Sequence, residues 1–188
     1  AVGWLPRLYA ARCGAAEGES AGGLKGQWVV TQFGEDQMGL RGVNRIMIAV
    51  HDMDKAKRLY TDLLGADFMD ADWTGEAWGI SVAIAWDAGI ELCSPLPGRE
   101  TDSAVSQFLA HRGEGIMSVF FGVDDADAAF AKAKALGFGC VSALDYTQDE
   151  IDAHLAGLFS KYQEFTLDSH AQCGFAVTLA QIDDKPNR

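Results

Sequence analysis

Residues 43–68 read VNRIMIAVHDMDKAKRLYTDLLGADF, and residues 115–141 repeat this stretch imperfectly as GIMSVFFGVDDADAAFAKAKALGFGCV. At an offset of about 73 residues, Arg45 aligns with Ser118. In each copy apolar residues first alternate, as in a half-buried strand, and then recur at helical spacing. An internal repeat predicts a duplicated supersecondary unit whose copies share one core.

The sequence between and after the two copies predicts three further strands in each unit. In the first unit we predict a helix capped by Asp52 or Asp54, with one face buried against a sheet. That face carries Ala56, Leu59, Tyr60, Leu63 and Leu64. The strands that follow it are predicted at 66–73, 78–86 and 90–94, and those that follow the second helix are predicted at 139–146, 162–167 and 174–181.

We therefore predict an α+β fold in which paired βαβββ modules form a curved mixed sheet around a central cavity. Residues 1–37 lack this periodicity and are interpreted as an N-terminal appendage, either non-native sequence or a short edge strand at 27–33. The remaining boundaries are 38–97 for the first module, 98–113 for a linker helix, 114–182 for the second module with an inserted helix at about 148–160, and 183–188 for a tail.

Composition excludes some partners. The chain has 188 residues and a formal net charge of −12, so neither nucleic acid nor an anionic membrane surface is an expected partner. No apolar run approaches the length of a membrane span. The four cysteines lack the spacing of a zinc or redox motif, which indicates buried free thiols in a reducing cytoplasm.

Three ordered segments carry a resemblance to a known family. They read RIMIAVHDMDKAKRLYTDLLGADF, then GIELCSPLPG, then QFLAHRGEGIMSVFFGVDDADAAFAKAKALGF. Together they resemble the vicinal oxygen chelate superfamily, which includes glyoxalases, extradiol dioxygenases and bleomycin-resistance proteins. The nearest resemblance is to its methylmalonyl-CoA epimerase-like branch. The resemblance implies a homodimer that binds a small molecule in the cavity, where a divalent cation acts as a Lewis acid.

The resemblance also implies four metal-ligand positions, and three of them have changed. They fall on Arg45, Glu91, Ser118 and Thr178, of which only Glu91 is a family ligand. Arginine is always protonated and cannot ligate a cation, while neutral hydroxyls are weak ligands. We therefore expect no metal and no other cofactor. A metal held by displaced ligands, Glu91 with His170 or His51, is the alternative.

Successive side chains of a strand point to opposite faces of the sheet, and this alternation indicates which side chains share the cavity with these four positions. We hypothesise that Arg45 replaces the metal, is held by Glu91, and grips a substrate carboxylate or carbonyl bidentately. The alternatives are an Arg45–Glu91 salt bridge in an inactive site and an Arg45 that points to solvent. The candidate catalytic residues are Glu91, Arg45 and His170, and the candidate substrate-binding residues are Arg45, Ser118, Thr178, Phe120 and Met47.

These residues predict a metal-independent lyase or isomerase, epimerase-like, acting on a small carboxylate, thioester or enolisable carbonyl compound. The alternatives are a non-catalytic small-molecule binding protein of the bleomycin-resistance type, and a metal-dependent epimerase, lyase or dioxygenase with displaced ligands.

Overall fold

The structure, a computed structural model, describes residues 42–185. The expectations for residues 1–37 therefore lie outside the described part of the chain. Within it, one eight-stranded sheet carries helices on its surface. The strands are β1 (Gly42–Ala49), β2 (Met69–Asp70), β3 (Ile80–Ala85), β4 (Ile90–Pro95), β5 (Gly115–Gly122), β6 (Cys140–Asp145), β7 (Phe159–Leu167) and β8 (Ala176–Asp184).

The strand order confirms the duplication predicted from the sequence. It runs β2-β3-β4-β1-β5-β8-β7-β6, so each module contributes the same four-strand arrangement to one half of the sheet. β1 pairs with β4 in parallel, and β5 pairs with β8 in parallel. The halves join through the antiparallel pair β1–β5. The first strands of both modules, which carry Arg45 and Ser118, therefore lie side by side at the centre.

Most helix limits follow local capping signals. Asp52 accepts a hydrogen bond from the backbone of Lys55, which selects it over Asp54 as the first cap, and Gly65 ends the helix in the left-handed conformation. Thr147 and Glu150 form a reciprocal capping box. The helices are α1 (Met53–Leu64), α2 (Asp72–Gly75), a 3₁₀ turn (Glu76–Trp78), α3 (Ala104–Arg112), α4 (Ala126–Ala135), α5 (Gln148–His154) and α6 (His170–Cys173).

Three predicted elements are wrong in extent or type. Of the strand predicted at 66–73, only β2 forms. The Asp72 carboxylate accepts a hydrogen bond from the backbone N–H of Val82, and the chain enters α2 at this residue. The inserted helix ends at His154, since Ala156 and Gly157 both have positive φ. The hairpin predicted before the last strand contains the single helical turn α6.

The predicted burial is wrong at several apolar positions. On α1, Leu59, Leu63 and Leu64 are exposed, because this helix packs on the sheet through Ala56 and the partly buried Tyr60. Of the cysteines in the described part of the chain, Cys93 is buried, whereas Cys140 and Cys173 are exposed. The homodimer implied by the resemblance stays a prediction. No helix between residues 42 and 185 is long and apolar enough to cross a membrane.

The sheet curls until its two edges approach each other. Trp73 of α2, at the first edge, lies 4.9 Å from the Tyr146 ring and stacks on His154 at 4.5 Å between ring centroids. Trp86 contacts Phe159 at 5.3 Å in the same region. These aromatic contacts join the two modules beside α5, whose Ile151 belongs to the same core cluster. The curl encloses a cavity on the concave face.

Candidate functional site

A cavity of about 190 Å³ lies between the two half-sheets. Because alternate residues of a strand face the same side, each module contributes inward side chains from its first and last strands. The structure brings together every residue predicted as catalytic or substrate-binding, whereas His51, the alternative metal ligand, is exposed and lies outside this cavity. The candidates that line the cavity are Arg45, Met47, Glu91, Ser118, Phe120, His170 and Thr178.

Arg45 lies at the bottom of this cavity and is 2% exposed. The pairing of β1 with β5 shifts register between Val43 and Arg45, so Asn44 forms a bulge beside it. Nε of Arg45 donates to Glu91 Oε2 at 2.5 Å, and Nη2 donates to Glu164 Oε1 at 2.7 Å. Nη2 also donates to the Tyr162 hydroxyl at 3.0 Å, and Nη1 donates to Asn44 Oδ1 at 3.3 Å.

Aromatic rings hold the guanidinium in this position. Its central carbon lies 3.7 Å from the Phe120 ring centroid and 5.2 Å from that of Trp86. Cation–π attraction strengthens when both groups are desolvated, as they are here. The predicted Arg45–Glu91 pair is therefore present, and the solvent-exposed alternative for Arg45 is wrong. The predicted bidentate binding of a substrate is not available, because protein acceptors already engage Nε and both N–H groups of Nη2.

The charges in this cluster do not balance. One guanidinium faces the two carboxylates of Glu91 and Glu164, both 4% exposed. Burial by itself lowers the pKa of Arg45. Tyr162 and the two carboxylates raise this pKa by more than burial lowers it, so the net shift is upward and the group stays charged. Burial raises the pKa of Glu91, which Arg45 opposes only in part, and Glu164 adds to the increase.

Ser118 and Thr178 form a hydrogen-bonded chain of hydroxyls on the neighbouring wall. Ser118 donates to the Ala176 carbonyl at 2.9 Å, and its Oγ lies 2.8 Å from Thr178 Oγ1. Thr178 Oγ1 lies 3.0 Å from Thr166 Oγ1. Each hydroxyl has one proton, so Thr178 donates to Ser118, and Thr166 donates to Thr178. The chain therefore presents acceptor lone pairs at its Thr166 end.

His170 lies on the cavity wall at the start of α6. Its ring is half-buried and lies 6.0 Å from the Phe108 ring. Nδ1 is buried, and no atom of residues 42–185 bonds to it. A buried polar atom without a partner is uncommon in folded proteins, and this one has almost no accessible surface.

Sequence analysis missed Glu164, which completes the charged cluster. The predicted strand 162–167 contained the signal, because Tyr162, Glu164 and Thr166 alternate onto one face and a buried carboxylate requires a cation. The repeat gave no guidance, since the sheet register places Val82 of β3 at the corresponding point of the first module.

The residues present do not fit the divalent metal that the resemblance implies. The Arg45 guanidinium lies between the two carboxylates that could act as ligands and hydrogen-bonds to both. Ser118 and Thr178 use their hydroxyls to bond each other. Within residues 42–185 no group of three or more His, Cys, Asp or Glu side chains could hold a metal ion.

Gly75 of α2 also lines the cavity and allows a close approach to the sheet. A Cβ added there would lie 2.9 Å from Val82 Cγ2 and closer still to the Ile80 carbonyl. We expect Gly75→Ala to lower the free energy of unfolding by about 1–3 kcal/mol through overpacking. The matched control is Gly115→Ala, where a Cβ meets nothing within 4 Å. Equal stability of both variants in urea denaturation would contradict this expectation.

Comparison with known proteins identifies the family. Residues 44–155 match the Glyoxalase/Bleomycin resistance protein/Dioxygenase superfamily. The chain belongs to this superfamily. The resemblance stated from the sequence is thereby confirmed. The curved sheet of paired βαβββ modules is the fold of this superfamily. No curated protein matches the sequence.

Several solved structures share this fold. The methylmalonyl-CoA epimerase of Mycobacterium tuberculosis is 23% identical, with a TM-score of 0.56 over 77% of this chain and 91% of the epimerase. A Streptomyces coelicolor methylmalonyl-CoA epimerase variant, in complex with 2-nitronate-propionyl-CoA, is 24% identical, with a TM-score of 0.57 over 78% and 99%. A hypothetical protein from Bacillus halodurans C-125 is 18% identical, with a TM-score of 0.60 over 78% and 97%.

Proposed function

We propose that this superfamily member is a metal-independent, epimerase-like isomerase that moves a proton at a carbon next to a carbonyl group. The observation that carries the proposal is the buried Arg45, which lies in an apolar cavity between the carboxylates of Glu91 and Glu164. A fixed cation beside carboxylate bases is what enolisation needs, because negative charge develops on the carbonyl oxygen as the proton leaves.

Arg45 can stabilise that oxygen from its Nη1 side. Asn44 accepts from one N–H of Nη1, and the other has no acceptor within residues 42–185. This second N–H is available to a ligand oxygen, while the Nε–Nη2 edge is held by Glu91 and Glu164. The carboxylates fix the guanidinium before the ligand arrives, so little reorganisation is needed during the reaction.

Glu91 is the proposed base that removes the proton. Burial raises its pKa, which brings a carboxylate closer to the strength that proton abstraction at neutral pH requires. Arg45 engages Oε2, and Oε1 has no partner in the described part of the chain. Epimerisation also returns a proton to the opposite face of the carbon. His170 is the proposed second group because it lines the cavity and an imidazole can both accept and donate a proton.

Solvent-isotope exchange tests this function even while the natural substrate is unidentified. The protein is incubated in D₂O with small ketones and thioesters, and NMR follows loss of the proton next to the carbonyl group. We expect exchange well above the uncatalysed rate for at least one compound. Compounds that bind in the cavity without any accelerated exchange would contradict the proposal.

One observation favours a second function, that of a non-catalytic small-molecule binding protein. Arg45, Ser118 and Thr178 already form hydrogen bonds with other groups of this chain. The cavity is therefore stable without a ligand, and none of these three side chains is kept free to react. The same experiment separates the two functions, because a binding protein gives ligand-induced NMR shifts and no exchange.

A further inference from the structure

We infer that the cavity takes an uncharged carbonyl compound and excludes carboxylates, an assignment of substrate class that rests on the proposed function. The superfamily fold alone does not predict this, since a metal or a free cation in the cavity would favour an anionic ligand. The inference comes from the charges and hydrogen bonds of the cluster around Arg45.

The cavity wall carries a surplus of negative charge. Among the described residues that line it, the side chains with a formal charge are Arg45, Glu91 and Glu164. Nε and Nη2 of the single guanidinium are bonded to the two carboxylates at 2.5 and 2.7 Å. A ligand carboxylate would be a third anion beside one cation.

Such a ligand would also lack partners for its own charge. A carboxylate is recognised best by two parallel N–H bonds from one guanidinium. Glu91 already accepts from Nε of Arg45, and Glu164 and Tyr162 both accept from Nη2, so neither pair of neighbouring N–H groups is free. One face of the guanidinium is covered by Phe120 at 3.7 Å. Burying an anion without full pairing is costly, and two nearby carboxylates add repulsion.

An uncharged carbonyl group meets neither obstacle. Its oxygen needs one donor, which the second N–H of Arg45 Nη1 provides. The remainder of the ligand would lie against apolar side chains that line the cavity, including Met47, Ile84, Met117 and Leu144. Ligand sites of this kind combine a largely apolar wall with a few well-placed polar groups.

Matched ligand pairs test the inference. Each pair joins a methyl ketone to the carboxylate of the same shape: 2-butanone with propionate, 2-hexanone with pentanoate, and cyclohexyl methyl ketone with cyclohexanecarboxylate. Binding is measured by NMR titration of the full chain at neutral pH. In each pair that binds, we expect the ketone to bind at least about tenfold more tightly than the carboxylate.

Glu164→Gln removes one negative charge while keeping the size of the side chain and an oxygen that can accept from Arg45. We expect this variant to reduce the preference for ketone by about tenfold or more, chiefly because carboxylates bind better. The matched control is Asp62→Asn on the exposed surface of α1, which changes the net charge equally and should leave the preference unchanged. Melting curves establish that both variants are folded.

The outcomes separate the two proposals. If carboxylates bind the wild-type protein as tightly as ketones, or if Glu164→Gln behaves like Asp62→Asn, the assignment of substrate class is overturned and the proposed isomerase function still stands. If no ketone of any pair binds at millimolar concentration, the assignment of substrate class is overturned, and solvent-isotope exchange with thioesters then tests the isomerase function by itself.

Discussion

Replacing Arg45 by methionine is expected to lower the free energy of unfolding by about 3–5 kcal/mol. The change leaves Glu91 and Glu164 buried without a cation, and it removes the cation–π contact with Phe120. Methionine fills much of the arginine volume, so the loss reports the uncompensated charges more than a cavity. Urea denaturation followed by circular dichroism measures the effect.

A second variant distinguishes this charge effect from a general loss of packing. The triple variant Arg45→Met, Glu91→Gln, Glu164→Gln removes all three charges and should recover about 1–3 kcal/mol of the loss, since buried ion pairs can often be replaced by uncharged groups of similar size. The matched control is Arg58→Met on the exposed side of α1, with an expected change below about 0.5 kcal/mol. An Arg45→Met variant as stable as the control would show that the cluster is not a buried charge network.

Replacing Glu91 by glutamine is expected to slow solvent-isotope exchange about 10²- to 10⁴-fold, the range over which a positioned general base acts. Glutamine keeps an acceptor for Arg45 Nε at this position but cannot remove a proton. The rate with the best ketone is measured by NMR in the wild-type and variant proteins, with ligand affinity determined in parallel. Affinity should change far less than the rate.

The pH dependence gives an independent test of the same role. A base must be deprotonated to act, and burial raises the pKa of Glu91, so the wild-type rate should rise with pH through an inflection above the ordinary range of a glutamate. The Asp62→Asn control should keep both this profile and the rate. Wild-type exchange rates in Glu91→Gln would remove Glu91 from the proposed mechanism.

The sequence predicts the scaffold well because its signals are local and repeated. Alternation around Ile46 and Ile48, the cap at Asp52 and the glycine at Gly65 each specify a local conformation, and the second copy repeats the pattern. Strand parity then places Arg45 and Ser118 in the cavity. Parity is set by the backbone alone, so it is reliable even where the side chains depart from the family pattern.

The details that sequence analysis missed depend on long-range contacts. Glu164 reaches Arg45 across 119 residues, and no spacing rule connects them. The leucines of α1 follow the helical pattern of a buried face, yet the orientation of α1 on the sheet leaves them exposed and packs Ala56 and Tyr60 instead. Asp72 converts a predicted strand into α2 because its carboxylate accepts a bond from Val82. In each case a tertiary contact overrides a correct local tendency.

We propose that Arg45 takes the place of a metal ion. The most direct test measures solvent-isotope exchange and divalent-metal content on the same purified protein, before and after exhaustive treatment with a chelator. We predict that exchange persists unchanged after chelation and that its rate does not follow metal content. Loss of exchange on chelation, with recovery on addition of one equivalent of a divalent ion, would contradict the claim.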